Sequence, residues 1–294
     1  MDTQHLQAFV AVAETGSFSA AGQRLHLTQP AISKRVATLE QQLDSPLFDR
    51  VGRRITLTQA GAALLPSAQQ ILQELADAQR AITDLRGQVR GPLSLVTSHH
   101  IGLHRLPPAL RGFIENYPQV KLELHFLDSE QAYSRVLQGH FDLGIVTLAP
   151  KSDPRVAQEE IWRDQLQFVV SPRHPLANQT KLTLPELSRW PAILPDASTH
   201  TTQLVQQLFK RQRLPLETHM VTNHLDSLKM MVSIGLGWSI LPQTLLTDDT
   251  VLVLKLEEAN LSRRLGVIYH ARRQPSKAAR VFLDTLKNPL YHSF

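Results

Sequence analysis

Gln29, Pro30, Ser33 and Lys34 stand close together in the stretch LTQPAISKRVATLEQQL, residues 27–43, with Arg35 and Thr38 just beyond. None is a nucleophile beside a base, and none belongs to a set with metal-ligand spacing. What they offer is hydrogen bonding and charge. A glutamine amide matches the paired donor and acceptor of a base edge, a serine hydroxyl adapts to either, and a lysine meets a phosphate. A second basic group follows in LFDRVGRRITLT, residues 47–58, with Arg50, Arg53 and Arg54 around Gly52. A third set lies further on: Ser98, His99, His100, Ser129, Thr147, Asp196, Ser198, Thr199, Asn223 and His224. These hydroxyls, imidazoles and amides follow apolar runs and suit the holding of a small organic anion.

Bond-making chemistry has no comparable signal. The chain lacks a Gly-x-Ser-x-Gly elbow, a phosphate loop ending in Gly-Lys-Ser/Thr, a Gly-x-Gly-x-x-Gly turn and a His-Glu-x-x-His pair. It has no cysteine, which removes thiolate metal sites, thiol nucleophiles and disulfides together. No carboxylate or cysteine near His99, His100 and His104 completes a metal set, so they read as a loop and helix start. Asp248-Asp249 reads as a solvated turn, His174-Pro175 as a turn and Trp238 as a core aromatic. The expectation is a protein that is not an enzyme, with neither metal nor cofactor.

The elements that must position these residues are legible by period. Leu6, Phe9, Val10 and Ala13 follow helical spacing, and Thr15-Gly16 ends that helix. Ser17 or Ser19 caps a second short helix, and His26-Leu27 forms a tight turn. Thr28 caps a third helix, in whose first turn Pro30 is tolerated. Ile32, Val36, Leu39 and Leu43 then share one face, which packs on the first two helices, while Pro30, Lys34, Thr38 and Gln41 lie opposite. The basic segment after it reads as a two-stranded hairpin, so that residues 1–58 predict a winged helix-turn-helix. Bulk charge does not carry this reading, since residues 1–58 hold six Lys/Arg against five Asp/Glu. Five of those six cations fall on the third helix and the hairpin.

The run FVAVAETGSFSAAGQRLHLTQPAISKRVATLEQQLDSPLFDRVGRRITLTQAG resembles the N-terminal domain of LysR-type transcriptional regulators. The resemblance implies that the third helix reads the major groove and the hairpin contacts DNA. The DNA-facing set is then Ser17, Ser19, Thr28, Gln29, Pro30, Ser33, Lys34, Arg35, Thr38, Arg50, Arg53 and Arg54.

From residue 59 to 90 the apolar residues Leu64, Ala68, Ile71, Leu75, Ala78, Ile82, Leu85 and Val89 alternate by four and three. That is the seam of a paired helix and predicts a homodimer. Pro66 is a departure that bends its first turns. A dimer reads a two-fold-related site, an interrupted inverted repeat in double-stranded DNA. The resemblance adds pairing of dimers into tetramers that bend DNA, and RNA polymerase as a further partner.

RGQVRGPL, residues 86–93, marks a linker. Beyond it strand-like and helical runs alternate, which predicts two α/β lobes built on a mostly parallel sheet. Lobe I takes residues 91–162 and 266–294, and lobe II residues 163–265. LQGHFDLGI, FVVSPRHPLA and VSIGLGWSILP resemble the bilobed effector domain of the same family, which has the form of periplasmic solute-binding proteins. A free solute-binding protein would need export, but MDTQHLQAFVAVAETG lacks a basic start and its apolar run is broken at Glu14. With no long apolar stretch either, a cytoplasmic protein without a membrane partner is expected.

Overall fold

Asp2 opens helix α1 (Thr3–Thr15) by accepting the Gln4 amide, and Gly16 closes it in the left-handed conformation, φ 64°. Ser17, not Ser19, caps α2 (Phe18–Arg24): its hydroxyl accepts the Ala20 amide at 3.3 Å. Thr28 caps α3 (Gln29–Leu43), with Pro30 in the first turn. Ile32, Val36 and Leu39 of α3 bury against Leu6, Phe9 and Val12 of α1 and Ala21 of α2. Strands β1 (Phe48–Val51) and β2 (Arg54–Leu57) pair antiparallel as the hairpin. The structure, a computed structural model, describes residues 2–51, 54–84, 88–151, 153–179, 182–256 and 260–291.

Helix α4 (Gln59–Asp84) starts at Thr58, whose hydroxyl accepts the Gly61 amide at 3.0 Å and donates to the Pro46 carbonyl at 2.7 Å. Pro66 lies inside it. Its opening turns belong to the core beneath them, because Ala68 is fully buried there with Leu64, Leu65 and Leu72 packed around the same cluster. This corrects the continuous seam read from the sequence. Leu64 and Ala68 pack within their own unit, and only Ile71, Leu75, Ala78 and Ile82 remain exposed. Leu85 lies outside the described residues. Val89 lies past the helix, in the second of the two units into which the chain divides (Met1–Gly87 and Gln88–Phe294), and packs on that unit's core. A repeat in sequence records only apolar spacing, and tertiary packing consumed both ends of this one.

The second unit is built on long strands. Lobe I holds β3 (Gly91–Thr97), α5 (His99–His104), α6 (Pro107–Asn116), β4 (Val120–Phe126), α7 (Ser129–Leu137) and β5 (Leu143–Thr147). Strand β6 (Val156–Val170) then runs out of it. Trp162 of β6 belongs to the lobe I core and Leu166 to the lobe II core. Lobe II follows with α8 (Leu184–Leu187), β7 (Ala192–Leu194), α9 (His200–Arg211), β8 (Thr218–Val221), α10 (Leu225–Ser233), β9 (Ser239–Pro242) and β10 (Leu252–Val253). Strand β11 (Leu261–His270) returns to lobe I, and α11 (Lys277–Lys287) covers its sheet.

The sheet is mixed rather than mostly parallel. In the seven-stranded sheet β3 pairs in parallel with β4 and β5, while β11 runs antiparallel to β5 and β6, as do β9 and β10 to β6; β7 and β8 pair in parallel in a separate two-stranded sheet. Strand-helix-strand alternation predicts parallel neighbours. It does not anticipate β6 and β11, which pass directly between lobes and pair with each other.

Candidate functional site

The outward face of α3 carries Gln29, Pro30 and Lys34 exposed, with Ser33 half-buried. Gln29 Nε2 donates to Ser33 Oγ at 2.8 Å, so the two side chains form one polar unit at the helix start. Thr38 donates its hydroxyl to the Lys34 carbonyl at 2.9 Å. Arg35 leaves this face: its Nη2 donates to Gln4 Oε1 on α1 at 2.9 Å. Ser19 and Thr28 are exposed and Ser17 is half-buried. The hairpin is fixed to α3 by Glu40, whose Oε1 accepts the Leu47 amide at 2.7 Å and the Phe48 amide at 3.3 Å. Gly61 lets α4 approach this junction, since a Cβ there would stand 2.2 Å from the Leu47 carbonyl oxygen. Arg50 and Arg54 stand on the paired strands, while Gly52 and Arg53 lie outside the described residues. What this arrangement offers chemically is a polar helix face with a basic hairpin clamped beside it.

The second site is a cleft within the second unit, beyond the carboxyl ends of β3, β4, β5, β7 and β8, where ligands of open α/β sheets bind. Ser98, His99, His100, Ser129, Thr147, Thr199 and Asn223 line it, as the sequence suggested. Ser98 makes no capping bond with its side chain, and Ser129 Oγ accepts the Thr147 amide at 3.1 Å. Three expected residues do not line the cleft. Asp196 and Ser198 form a local turn, with Asp196 Oδ1 accepting both the amide and the hydroxyl of Ser198. His224 instead turns its ring to His99, 4.4 Å between centroids, while His99 stacks on Phe126.

Other lining residues were missed. Asp128, Glu130, His200, Thr201 and Arg263 all face the cleft. Asp128 and Glu130 flank Ser129, and that adjacency was a usable signal. Arg263 gave none, because it sits inside strand β11 with no local pattern to single it out. Its Nη1 donates to Thr201 Oγ1 at 3.2 Å, and its Nη2 to Asp164 Oδ2 at 3.0 Å. Asp164 also takes Arg105 Nη2 at 2.6 Å, and His100 Nε2 lies 3.4 Å away. Burial raises the Asp164 carboxyl, but the His100 hydrogen bond and the Arg263 and Arg105 guanidiniums outweigh it and hold the group well below the usual carboxylate range. Burial pushes His100 below its ordinary value, so the imidazole stays neutral beside that carboxylate near neutral pH.

The lobes meet directly across the cleft. Asn223 Nδ2 donates to Asp128 Oδ2 at 2.7 Å, and the His200 amide donates to Glu130 Oε1 at 2.9 Å. The cavity left between them is only about 50 Å³. A larger groove of about 880 Å³ beside Trp190, Ile234 and Leu236 draws on lobe II alone. Among the described residues no group of three or more His, Cys, Asp or Glu could hold a metal, and no helix is long and apolar enough to cross a membrane.

Residues 3–62 match the family model described as "Bacterial regulatory helix-turn-helix protein, lysR family", and residues 86–290 match "LysR substrate binding domain". The transcriptional activator CmpR of Synechocystis sp. is 31% identical over 284 residues, covering 95% of this chain and 93% of CmpR. Among solved structures, full-length CbnR complexed with its target DNA superposes with a TM-score of 0.67 at 24% identity, over 98% of this chain and 99% of that one. The Synechocystis CcmR regulatory domain, in complex with 2-PG, gives 0.61 at 25% identity over 67% of this chain and 96% of its own. With both its N-terminal winged unit and its bilobed unit matched, this chain belongs to the LysR family of transcriptional regulators.

Proposed function

We propose that this regulator binds an interrupted inverted repeat in double-stranded DNA as a homodimer, and that a small organic anion between lobes I and II modulates its binding or bending of that DNA. The convergence of Ser98, Ser129, Thr147, Thr199 and Asn223 from five strand ends carries the ligand half of this reading. The 2-PG complex of the CcmR regulatory domain supports the same class of small ligand. The exposed face of α3 and the hairpin arginines supply the DNA half, with Gln29 and Ser33 reading base edges and Lys34 meeting phosphate. Ile71, Leu75, Ala78 and Ile82 form the dimer contact, dimers pair into tetramers, RNA polymerase is a further partner, and the protein acts in the cytoplasm.

A ligand can shift DNA occupancy only by the difference in its affinity for two arrangements of the assembly. The direct test is a genomic footprint of the native protein, followed by titration of small acids drawn from the chemistry of the adjacent genes. A footprint on the operator whose extent or affinity changes with one acid supports the reading. A footprint unaffected by every acid tested, with no change in cleft fluorescence or thermal stability, removes the ligand half.

A further inference from the structure

We infer that Glu130 is a tethered carboxylate that holds the anion position of the cleft, and that an incoming small oxyanion takes this position by displacing it. This rests on the ligand half of the reading above and adds how the site is guarded. The backbone amide of His200 opens helix α9, whose twelve residues make a full N-terminal dipole. That amide donates at 2.9 Å to Glu130 Oε1, a carboxylate belonging to the other lobe. The His200 Nε2 lies 3.8 Å from the same oxygen. Thr201, next along the same turn, is bonded by the buried guanidinium of Arg263. A helix start and an imidazole therefore already meet the Glu130 carboxylate as they would a bound oxyanion, with the oxyanion supplied by the chain itself and the Asp164-paired Arg263 one residue away on Thr201.

Two further observations make the contact displaceable rather than structural. Glu130 keeps 26% of its side chain exposed, whereas Asp164 keeps 1%, so water can receive the one and not the other. The cavity of about 50 Å³ is too small for an organic acid while the Glu130–His200 and Asp128–Asn223 contacts stand. Entry of a ligand therefore requires the lobes to part there, and the ligand's acid group replaces the carboxylate that leaves. Cleft opening and anion binding become one event, which couples the ligand to the arrangement of the two lobes.

The test uses full-length protein and inorganic phosphate as the probe, with affinity read by isothermal titration. Glu130→Ala removes the competitor and is expected to bind phosphate about tenfold more tightly than wild type. Glu130→Gln keeps a neutral acceptor and falls between the two. Glu115→Gln, on the exposed surface of α6, leaves affinity unchanged and controls for net charge. Thermal melts confirm that each variant is folded. Equal or weaker binding by both Glu130 variants overturns the proposal, as does an absence of phosphate binding in every protein. If Ser98→Ala lowers phosphate affinity while the Glu130 variants show no gain, the cleft reading stands and only the tethered role falls.

Discussion

Nη2 of Arg263 lies 3.0 Å from Oδ2 of Asp164, across 99 residues of sequence. The pair joins β11 to β6, the two strands that pass between lobes I and II, and it sits almost wholly out of water. Arg105 adds a second guanidinium on the same carboxylate from lobe I at 2.6 Å.

Asp164→Ala leaves two guanidiniums without their shared carboxylate, one of them buried. The expected cost is about 3–5 kcal/mol in the stability of the second unit, because an uncompensated buried charge is far more expensive than a missing surface pair. Urea denaturation of the full-length protein checks this. A loss under about 1 kcal/mol would place the three side chains in far more solvated surroundings.

Stability also responds to acid in two steps. His100 is held below its ordinary value, so the unfolded chain binds a proton there before the folded one does. Its contribution is full above the ordinary imidazole value and falls as the pH drops through it. Asp164 is depressed, so its contribution is full above the ordinary carboxylate value and falls away below it. Denaturation midpoints measured at about pH 8, 5.5 and 3.5 should fall in that order. His100→Gln should shrink the first step, with the buried His174 keeping part of it, and should also weaken the second, because the His100 hydrogen bond helps hold Asp164 low.

Lys34→Ala is expected to weaken DNA binding on all sequences alike and to lower the salt slope by about one per reading helix. Gln29→Ala should instead relax preference at one base pair, by about 1–3 kcal/mol of discrimination. Ser33 is drawn into the same effect, since its hydroxyl accepts from the Gln29 amide. Titrations at several salt concentrations on matched and mismatched duplexes separate the two outcomes. Unchanged footprints for both variants would remove the contact assignment.

If Ile71, Leu75, Ala78 and Ile82 form the proposed dimer contact, Leu75→Glu combined with Ile82→Glu should leave a monomer in sedimentation velocity. Both side chains are exposed, Ile82 by 66%, so thermal stability of the separated chain should hardly move. A dimer that survives both substitutions would transfer the contact elsewhere.

Gly61→Ala tests the junction of wing and long helix. A Cβ there meets the Leu47 carbonyl at 2.2 Å, and neither backbone segment can give way cheaply. A destabilisation of about 1–3 kcal/mol is expected, read from the melting of the N-terminal unit.

The winged unit was largely legible in the sequence because its determinants are local. Gly16 ends one helix, Thr28 begins another, and Ile32, Val36 and Leu39 mark the buried face, all through contacts within a few turns. The cleft was legible only where a hydroxyl, imidazole or amide follows a strand, as at Ser98, Ser129 and Asn223. Asp196 and Ser198 obey the same local rule but spend their groups on each other, and only three-dimensional packing decides that. The seam shows the same division: spacing alone groups Ala68 with Ile82, and burial separates them. Arg263, Asp164 and Arg105 come from three distant segments, and no periodicity links them. Sequence period and capping determined which elements form, because those forces act between near neighbours. Tertiary structure decided which charges share a buried site and which lobes face each other, because desolvation depends on everything that surrounds a group and not on what precedes it in the chain.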